Sequence, residues 1–194
     1  MTALKNQTVN LQSRIQELES EVERLRKLTE RDDLTGCLRR DALMTLLDRR
    51  RSFGFLPRNM TVAVVDLDHF KRVNDTYGHA TGDEVLVQVA RVLTEECAVE
   101  GTLVCRMGGE EFVMVIPADV DAASVELERL RSTLERMNIL TTDGQALQVT
   151  ASFGAVGWNS DKSLKDASIQ ADMALYSAKK QGRNRVVVQE GRGA

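Results

Sequence analysis

Apolar residues recur every seven positions at the start of the chain. Leu4, Leu11, Leu18 and Leu25 form one column and Thr8, Ile15, Val22 and Thr29 the complementary one, which writes an a/d heptad register over residues 1–31. In that register Arg14 and Glu21 stand at g, with Glu19 and Arg26 at the following e positions. A parallel pair of helices would set Arg14 against Glu19 and Glu21 against Arg26 across the seam, and both pairs attract. β-branched Ile15 and Val22 at a with leucine at d favour two strands, while the threonines weaken the ends. The spacing predicts a parallel dimeric coiled coil. A single amphipathic helix packed on its own domain is the alternative that the same spacing allows.

Past Asp32-Asp33-Leu34-Thr35-Gly36 the heptad stops, with Gly36 supplying the break. Residues 40–50 set Leu43, Leu46 and Leu47 on one face of an amphipathic helix. The β-branched run from Thr61 to Leu67 predicts a buried strand carrying acidic residues at its C-terminal end. Helices are predicted at 69–76 and 83–98. Strands at 103–106 and 112–116 enclose a Gly-Gly turn and form a hairpin. A helix at 122–136, a strand at 147–156, a helix at 163–181 stopped by Gly182 and a last strand at 186–188 complete the order. That order is a mixed α/β (α+β) sandwich over residues 32–190, with no internal repeat and no low-complexity tract.

The chain has 194 residues, so the part beyond the heptads is one domain able to bury a sizeable core. Hydrophobic residues at 42% and charged residues at 28% exclude disorder over most of it. A net charge of −3 gives no general attraction to a nucleic-acid polymer or an acidic membrane, so phosphate binding must come from locally placed Lys and Arg. Cys37, Cys97 and Cys105 are odd in number and lack paired ligand spacing, which argues against disulfides and a thiolate zinc site and fits a reducing cytoplasm. No apolar stretch approaches the roughly twenty residues that cross a bilayer, and the polar N-terminus lacks a signal-peptide core. A soluble, cytoplasmic chain is expected.

The chemistry concentrates in two places. Gly108-Gly109-Glu110-Glu111-Phe112 puts two glycines at a hairpin tip, directly followed by two carboxylates. Glycine admits the positive φ of tight turns, and without a Cβ it lets a polyanion approach the backbone; a plain hairpin with two solvated acids has the same sequence. Asp66 and Asp68, two apart on a strand, point to one side, so Asp66 can join a hairpin acid in holding hard cations through oxygen. Two Mg²⁺ roughly 4 Å apart stabilise attacking and leaving oxygens in phosphoryl transfer, and carboxylates on adjacent strands are what such a pair needs. Asp68 reads more simply as the N-cap of the next helix. That helix opens His69-Phe70-Lys71, so its free N–H groups and Lys71 favour a phosphate.

Asp66-Leu67-Asp68-His69-Phe70-Lys71-Arg72-Val73-Asn74-Asp75, then Gly78-His79 and Gly82-Asp83, then the Gly-Gly-Glu-Glu-Phe hairpin, resemble the GGDEF diguanylate cyclases. Asp33-Leu34-Thr35-Gly36 resembles the start of that family's domain. Asp172 through Ala178-Lys179, with Gly182-Arg183-Asn184, resembles its closing helix signature. The resemblance covers about 33–188. It implies a palm-like nucleotide-cyclase domain, with a central, mostly antiparallel sheet flanked by helices, that condenses two GTP into cyclic di-GMP across a homodimer.

Carried over by position, the resemblance makes Asp66 and Glu110 metal carboxylates, joined by the Leu67 carbonyl, for two Mg²⁺ or in their place Mn²⁺. Asn74 and Asp83 would read guanine; Phe70, Lys71, Gly108 and Gly109 would lie against the phosphates. Lys179 and Arg183, one helical turn apart, would clamp them, and Glu111 would help deprotonate the 3′-hydroxyl. The family's inhibitory product site shows Arg-x-x-Asp shortly before the hairpin, where this chain has Val99-Glu100-Gly101-Thr102. The other reading within the resemblance is a catalytically inactive GTP-binding module that signals through its coil. Neither an upstream sensory domain nor its signal is legible in this chain. Among isolated candidates, His79 reads as a turn or capping residue, Trp158 as a packing residue, and Arg106 as either structural or phosphate-binding.

Overall fold

The structure, a computed structural model, describes residues 12, 14–18, 21, 30–141 and 144–189. The predicted coiled coil therefore lies almost wholly outside the described residues. Ile15 and Leu18, which are described, are helical and about half exposed.

A six-stranded sheet forms the middle of the domain. In chain order its strands are β1 (Leu38–Arg39), β2 (Asn59–Leu67), β3 (Leu103–Gly108), β4 (Glu111–Ile116), β7 (Ala151–Asn159) and β8 (Val186–Gln189). They lie side by side as β1-β3-β4-β2-β7-β8. The four inner strands are antiparallel, and each edge strand pairs parallel with its neighbour. A second, two-stranded ribbon joins β5 (Ile139–Leu140) to β6 (Ala146–Leu147). This is the mixed architecture the element order implies, with short additions at β1 and β5 that are too brief to register as periodicity. The predicted strand at 147–156 divides into β6 and a longer β7, because 148–150 are irregular.

β2 sits at the centre and is buried on both faces from Met60 onward, which is why its sequence is a continuous apolar run rather than an alternation. Its odd-numbered residues Ala63, Val65 and Leu67 pack with α2 (Phe70–Tyr77), α3 (His79–Glu95) and α4 (Val120–Arg136). Its even-numbered Val62 and Val64 pack with α1 (Arg40–Ser52) and α5 (Leu164–Lys180). α3 starts four residues earlier than its periodicity suggests, because Gly78 at φ 82° separates it from α2 by one residue. α4 is capped by the Asp119 carboxylate, which accepts from the Ala122 N–H at 2.9 Å. Trp158 is buried and donates its indole N–H to the Lys162 carbonyl at 3.1 Å, a packing role.

α5 lies directly on β7. A Cβ added at Gly154 would stand 2.0 Å from the Leu175 nitrogen and 2.2 Å from the Ala171 carbonyl oxygen. Backbone touches backbone there, and the spacing of helix and sheet is set by the missing side chain. Gly154→Ala should therefore destabilise the domain by about 3 kcal/mol in urea unfolding, because backbone cannot move aside as a flexible side chain can. Gly157→Ala, whose new Cβ would meet its nearest atom at 3.7 Å, should stay within about 0.5 kcal/mol of the parent.

Candidate active site

β2 leaves the core at Asp66, whose residue is still only 6% exposed. Strand parity turns Asp66 toward α5, and Lys179 meets it with its ammonium 2.9 Å from Oδ1. Glu111 stands directly opposite Asp66 on β4. Glu110, in the hairpin turn, accepts the Leu67 N–H on its carbonyl at 3.4 Å. Burial pushes the Asp66 carboxyl above its ordinary value; the Lys179 bond and charge pull the other way, and Glu110 and Asp68 add to the rise. Burial likewise raises Glu111, reinforced by Asp66, Asp172 and Glu110 and opposed by Lys179. Lys179 thus offsets the crowding of two raised carboxylates, Asp66 and Glu111, while Asp68, Glu110 and Asp172 add to it.

Negative charge held in excess at the end of a buried strand is what a divalent cation relieves. Among the described residues no three His, Cys, Asp or Glu side chains converge into a cage. The donors to hand are two carboxylates, Asp66 and Glu110, with the Leu67 main chain beside them. Such a set fits a hard cation that keeps waters and takes the rest of its ligands from substrate phosphates, the habit of Mg²⁺.

The hairpin tip is open and braced from behind. Gly108 at φ 145° and Gly109 at φ 52° have nothing within 4 Å of an added Cβ, so a bulky anion can come onto the backbone there. Arg106 fixes the tip. Its Nε and Nη2 donate to the Gly109 carbonyl at 3.0 and 2.9 Å, while Nη1 donates to Asp32 Oδ1 at 2.9 Å. Asp32 also accepts from the Thr35 N–H and hydroxyl at 2.9 and 2.6 Å. Arg106 is thus spent on structure, and Asp32, a residue its local sequence did not single out, is its anchor. Burial alone would raise the Asp32 carboxyl, but the bonds from Thr35 and Arg106 outweigh it and hold it below the ordinary range.

Two sequence expectations change and one is narrowed. Asp68 does not cap α2: the cap position is His69, in the left-handed region at φ 57° with no side-chain bond. Asp68 instead faces inward to Thr150, Ser152 and Asn184. The Phe70 ring does not reach out over a phosphate, because it is buried in the core; only its main chain remains available. Arg183 is not on the same helix as Lys179, since α5 ends at Lys180 and Gly182 at φ 116° turns the chain. Lys71 is exposed at the start of α2. Asn74 lies over Gly82, whose added Cβ would fall 1.9 Å from Asn74 Oδ1. Glycine at 82 therefore brings Asn74 close to the exposed Asp83. His79 opens α3 after Gly78.

Known proteins are similar to this chain along most of its length. The family model for the diguanylate cyclase GGDEF domain matches residues 29–185. Diguanylate cyclase A of Treponema denticola is 36% identical over 170 residues, covering 84% of this chain and 45% of that one. Diguanylate cyclase DgcM of Escherichia coli is 35% identical over 167 residues, covering 80% and 40%. This chain thus spans less than half the length of these relatives. Among solved structures, the coiled coil and GGDEF domain of DgcB from Caulobacter crescentus, in complex with c-di-GMP, superimposes with a TM-score of 0.80 at 29% identity, covering 96% of this chain and 99% of that one. Diguanylate cyclase SiaD of Pseudomonas aeruginosa, in complex with its activator SiaC, gives 0.77 at 33% identity, covering 95% and 71%.

The Asp32–Arg106 bond carries a pH signature. A carboxylate held low in the folded state adds stability above its unfolded value, near 4, and that stability is lost as pH falls through the folded value. Arg106→Met should cost about 1.5 kcal/mol at pH 7, discounted for partial exposure. The gap from the parent should narrow as pH drops below about 4, which urea unfolding across pH 2–7 would measure.

Proposed function

The chain belongs to the GGDEF domain family of diguanylate cyclases, and from that premise we propose that it condenses two GTP into cyclic di-GMP with release of two pyrophosphates. The observation that carries this reading is Asp66, buried at the end of β2, opposite Glu111 and 2.9 Å from Lys179. Residues 32–190 would be the catalytic domain and residues 1–31 a parallel coiled coil that pairs two of them. The heptads support that pairing, as does the match to a solved structure made of a coiled coil and a GGDEF domain.

Each protomer would hold one GTP. Asp83 accepts from the guanine N1–H and amino group, with Asn74 beside it; adenine offers no such pair of donors, and a pocket built to be paired that way rejects it. Lys71, the main chain at Phe70 and the open backbone of Gly108 and Gly109 receive the phosphates. Lys179 and Arg183 clamp them, and the three ammonium hydrogens let Lys179 keep Asp66 while reaching a phosphate oxygen. Two Mg²⁺, or Mn²⁺ in their place, held by Asp66, Glu110 and the Leu67 carbonyl, would when bound neutralise the charge that builds on the phosphates as pyrophosphate leaves. Glu111, held above the ordinary carboxylate range, is suited to accept the 3′-hydroxyl proton. The 3′-oxygen of one GTP then bonds to the α-phosphorus of the other as the bond to pyrophosphate breaks, and the reciprocal step closes the ring. Neither half-site completes the ring alone, so bringing two domains face to face supplies much of the rate.

Purified protein incubated with GTP and Mg²⁺ should release pyrophosphate and yield cyclic di-GMP by mass spectrometry. Glu110→Ala should lower the rate at least about a hundredfold. GTP binding without product from the parent would favour an inactive GTP-binding module instead. Deleting residues 1–29 should cripple activity at low protein concentration, with recovery as concentration rises; unchanged activity would refute the coil's role.

Product feedback should also be weak. The segment 99–102 is a turn closed on itself, with the Thr102 hydroxyl donating to the Val99 carbonyl at 2.7 Å, and it presents neither an arginine nor an aspartate. Turnover should continue in micromolar cyclic di-GMP, and a submicromolar inhibition constant would count against this reading.

A further inference from the structure

We propose that Asp68 is a positioning residue that sets the phosphate-binding turn after α5 and acts through Arg183, an inference that rests on the cyclase reading of the site. Asp68 follows β2 and is 7% exposed. Its carboxylate accepts three hydrogen bonds: the Thr150 hydroxyl to Oδ2 at 2.7 Å, the Ser152 hydroxyl to Oδ1 at 2.7 Å and the Asn184 N–H to Oδ2 at 3.0 Å. Its own N–H donates to the Thr150 carbonyl at 2.8 Å. One buried carboxylate thus ties the end of β2 to the start of β7 and to the turn beyond α5. A charged acceptor with this many donors is a strong and directional anchor.

The turn needs an anchor. Gly182, Arg183 and Asn184 have φ of 116°, 64° and 46°. Two consecutive side-chain-bearing residues in the left-handed region are disfavoured and persist only where their surroundings over-determine them. Those surroundings can be named. The Arg183 N–H donates to the Ala178 carbonyl at 3.0 Å. The Asn184 side chain accepts from Arg131 at 2.7 Å and donates to Glu135 at 2.8 Å. The Asn184 N–H, the main-chain group next after Arg183, is held by Asp68. Arg183 is therefore fixed from both sides, and releasing Asn184 frees the turn to relax toward ordinary negative φ and carry the guanidinium away. Asp66 and Asp68 divide the work: the first holds the lysine at the helix end, the second the turn that aims the arginine.

The test is a thermodynamic cycle read by calorimetric titration with GTP and with guanosine on the full chain. Asp68→Asn keeps the shape but replaces one acceptor oxygen by a donor. Asp68→Asn and Arg183→Ala should each weaken GTP binding on the order of tenfold, and the double variant should bind no more weakly than Arg183→Ala alone. Guanosine, which has no phosphates, should bind all four proteins alike. Thr150→Val, a milder change in the same anchor, should give a smaller loss of the same non-additive kind and carries the cycle if Asp68→Asn does not fold. Additive losses, or guanosine affinity falling in step with GTP, would overturn the positioning role. A parent that shows the coupling but forms no cyclic di-GMP would overturn the cyclase reading and leave Asp68's role standing. A parent that binds no GTP would overturn both.

Discussion

A strand buried on both faces must change character abruptly where it reaches a site, and β2 does so between Val65, fully buried, and Asp66, charged. Everything chemical in the domain depends on that change. Asp66 retains the burial of its neighbours while losing their apolarity, so its carboxyl is raised by desolvation. A raised carboxyl beside three other acids is poorly solvated by the protein itself. It is correspondingly ready for a cation or a cationic side chain, and Lys179 supplies the side chain.

That arrangement survives only because the scaffold is stiff where it needs to be. Lys179 reaches Asp66 from the last turn of α5, and α5 is seated on β7 without an intervening side chain at Gly154. The two sheet faces serve different ends. The face under α2, α3 and α4 carries the larger aliphatic and aromatic packing. The face under α1 and α5 continues the same parity outward from Val62 and Val64 to Asp66, and from Val115 and Val113 to Glu111. Strand alternation therefore delivers the two carboxylates to one side, at the register fixed by the hairpin, without a dedicated loop.

Much of this was legible in the sequence. Long apolar runs, the Gly-Gly tip and the clustered acids announced the strands, the hairpin and the acidic end of β2, because these rest on local periodicity and turn chemistry. The partners of Asp68 and Arg106 were not legible. Thr150, Ser152 and Asn184 lie 82, 84 and 116 residues from Asp68, and Asp32 lies 74 residues from Arg106. A side chain's nearest sequence use, such as capping the helix that comes next, competes poorly with three donors brought by the segment before β7, by β7 itself and by the turn after α5. The burial of the Phe70 ring was not legible for a related reason: local pattern marks it as apolar but does not say whether it faces a ligand or the core.

The same physics explains why the domain would need a partner to act. Each excess charge at the site lowers the stability of the empty protein and raises its affinity for whatever neutralises that charge, a trade commonly found where local rules are broken. On the proposed reading, neutralisation by one substrate completes only half of the chemistry, because the attacking oxygen belongs to one GTP and the accepting phosphorus to another. The fold can perfect the half it holds, through Asp66 with Lys179 and Asp68 with the turn it anchors, but it cannot set the distance to the second half from within. Control is then most simply exerted between domains rather than inside one, where a small rotation changes encounter geometry without disturbing a buried carboxylate.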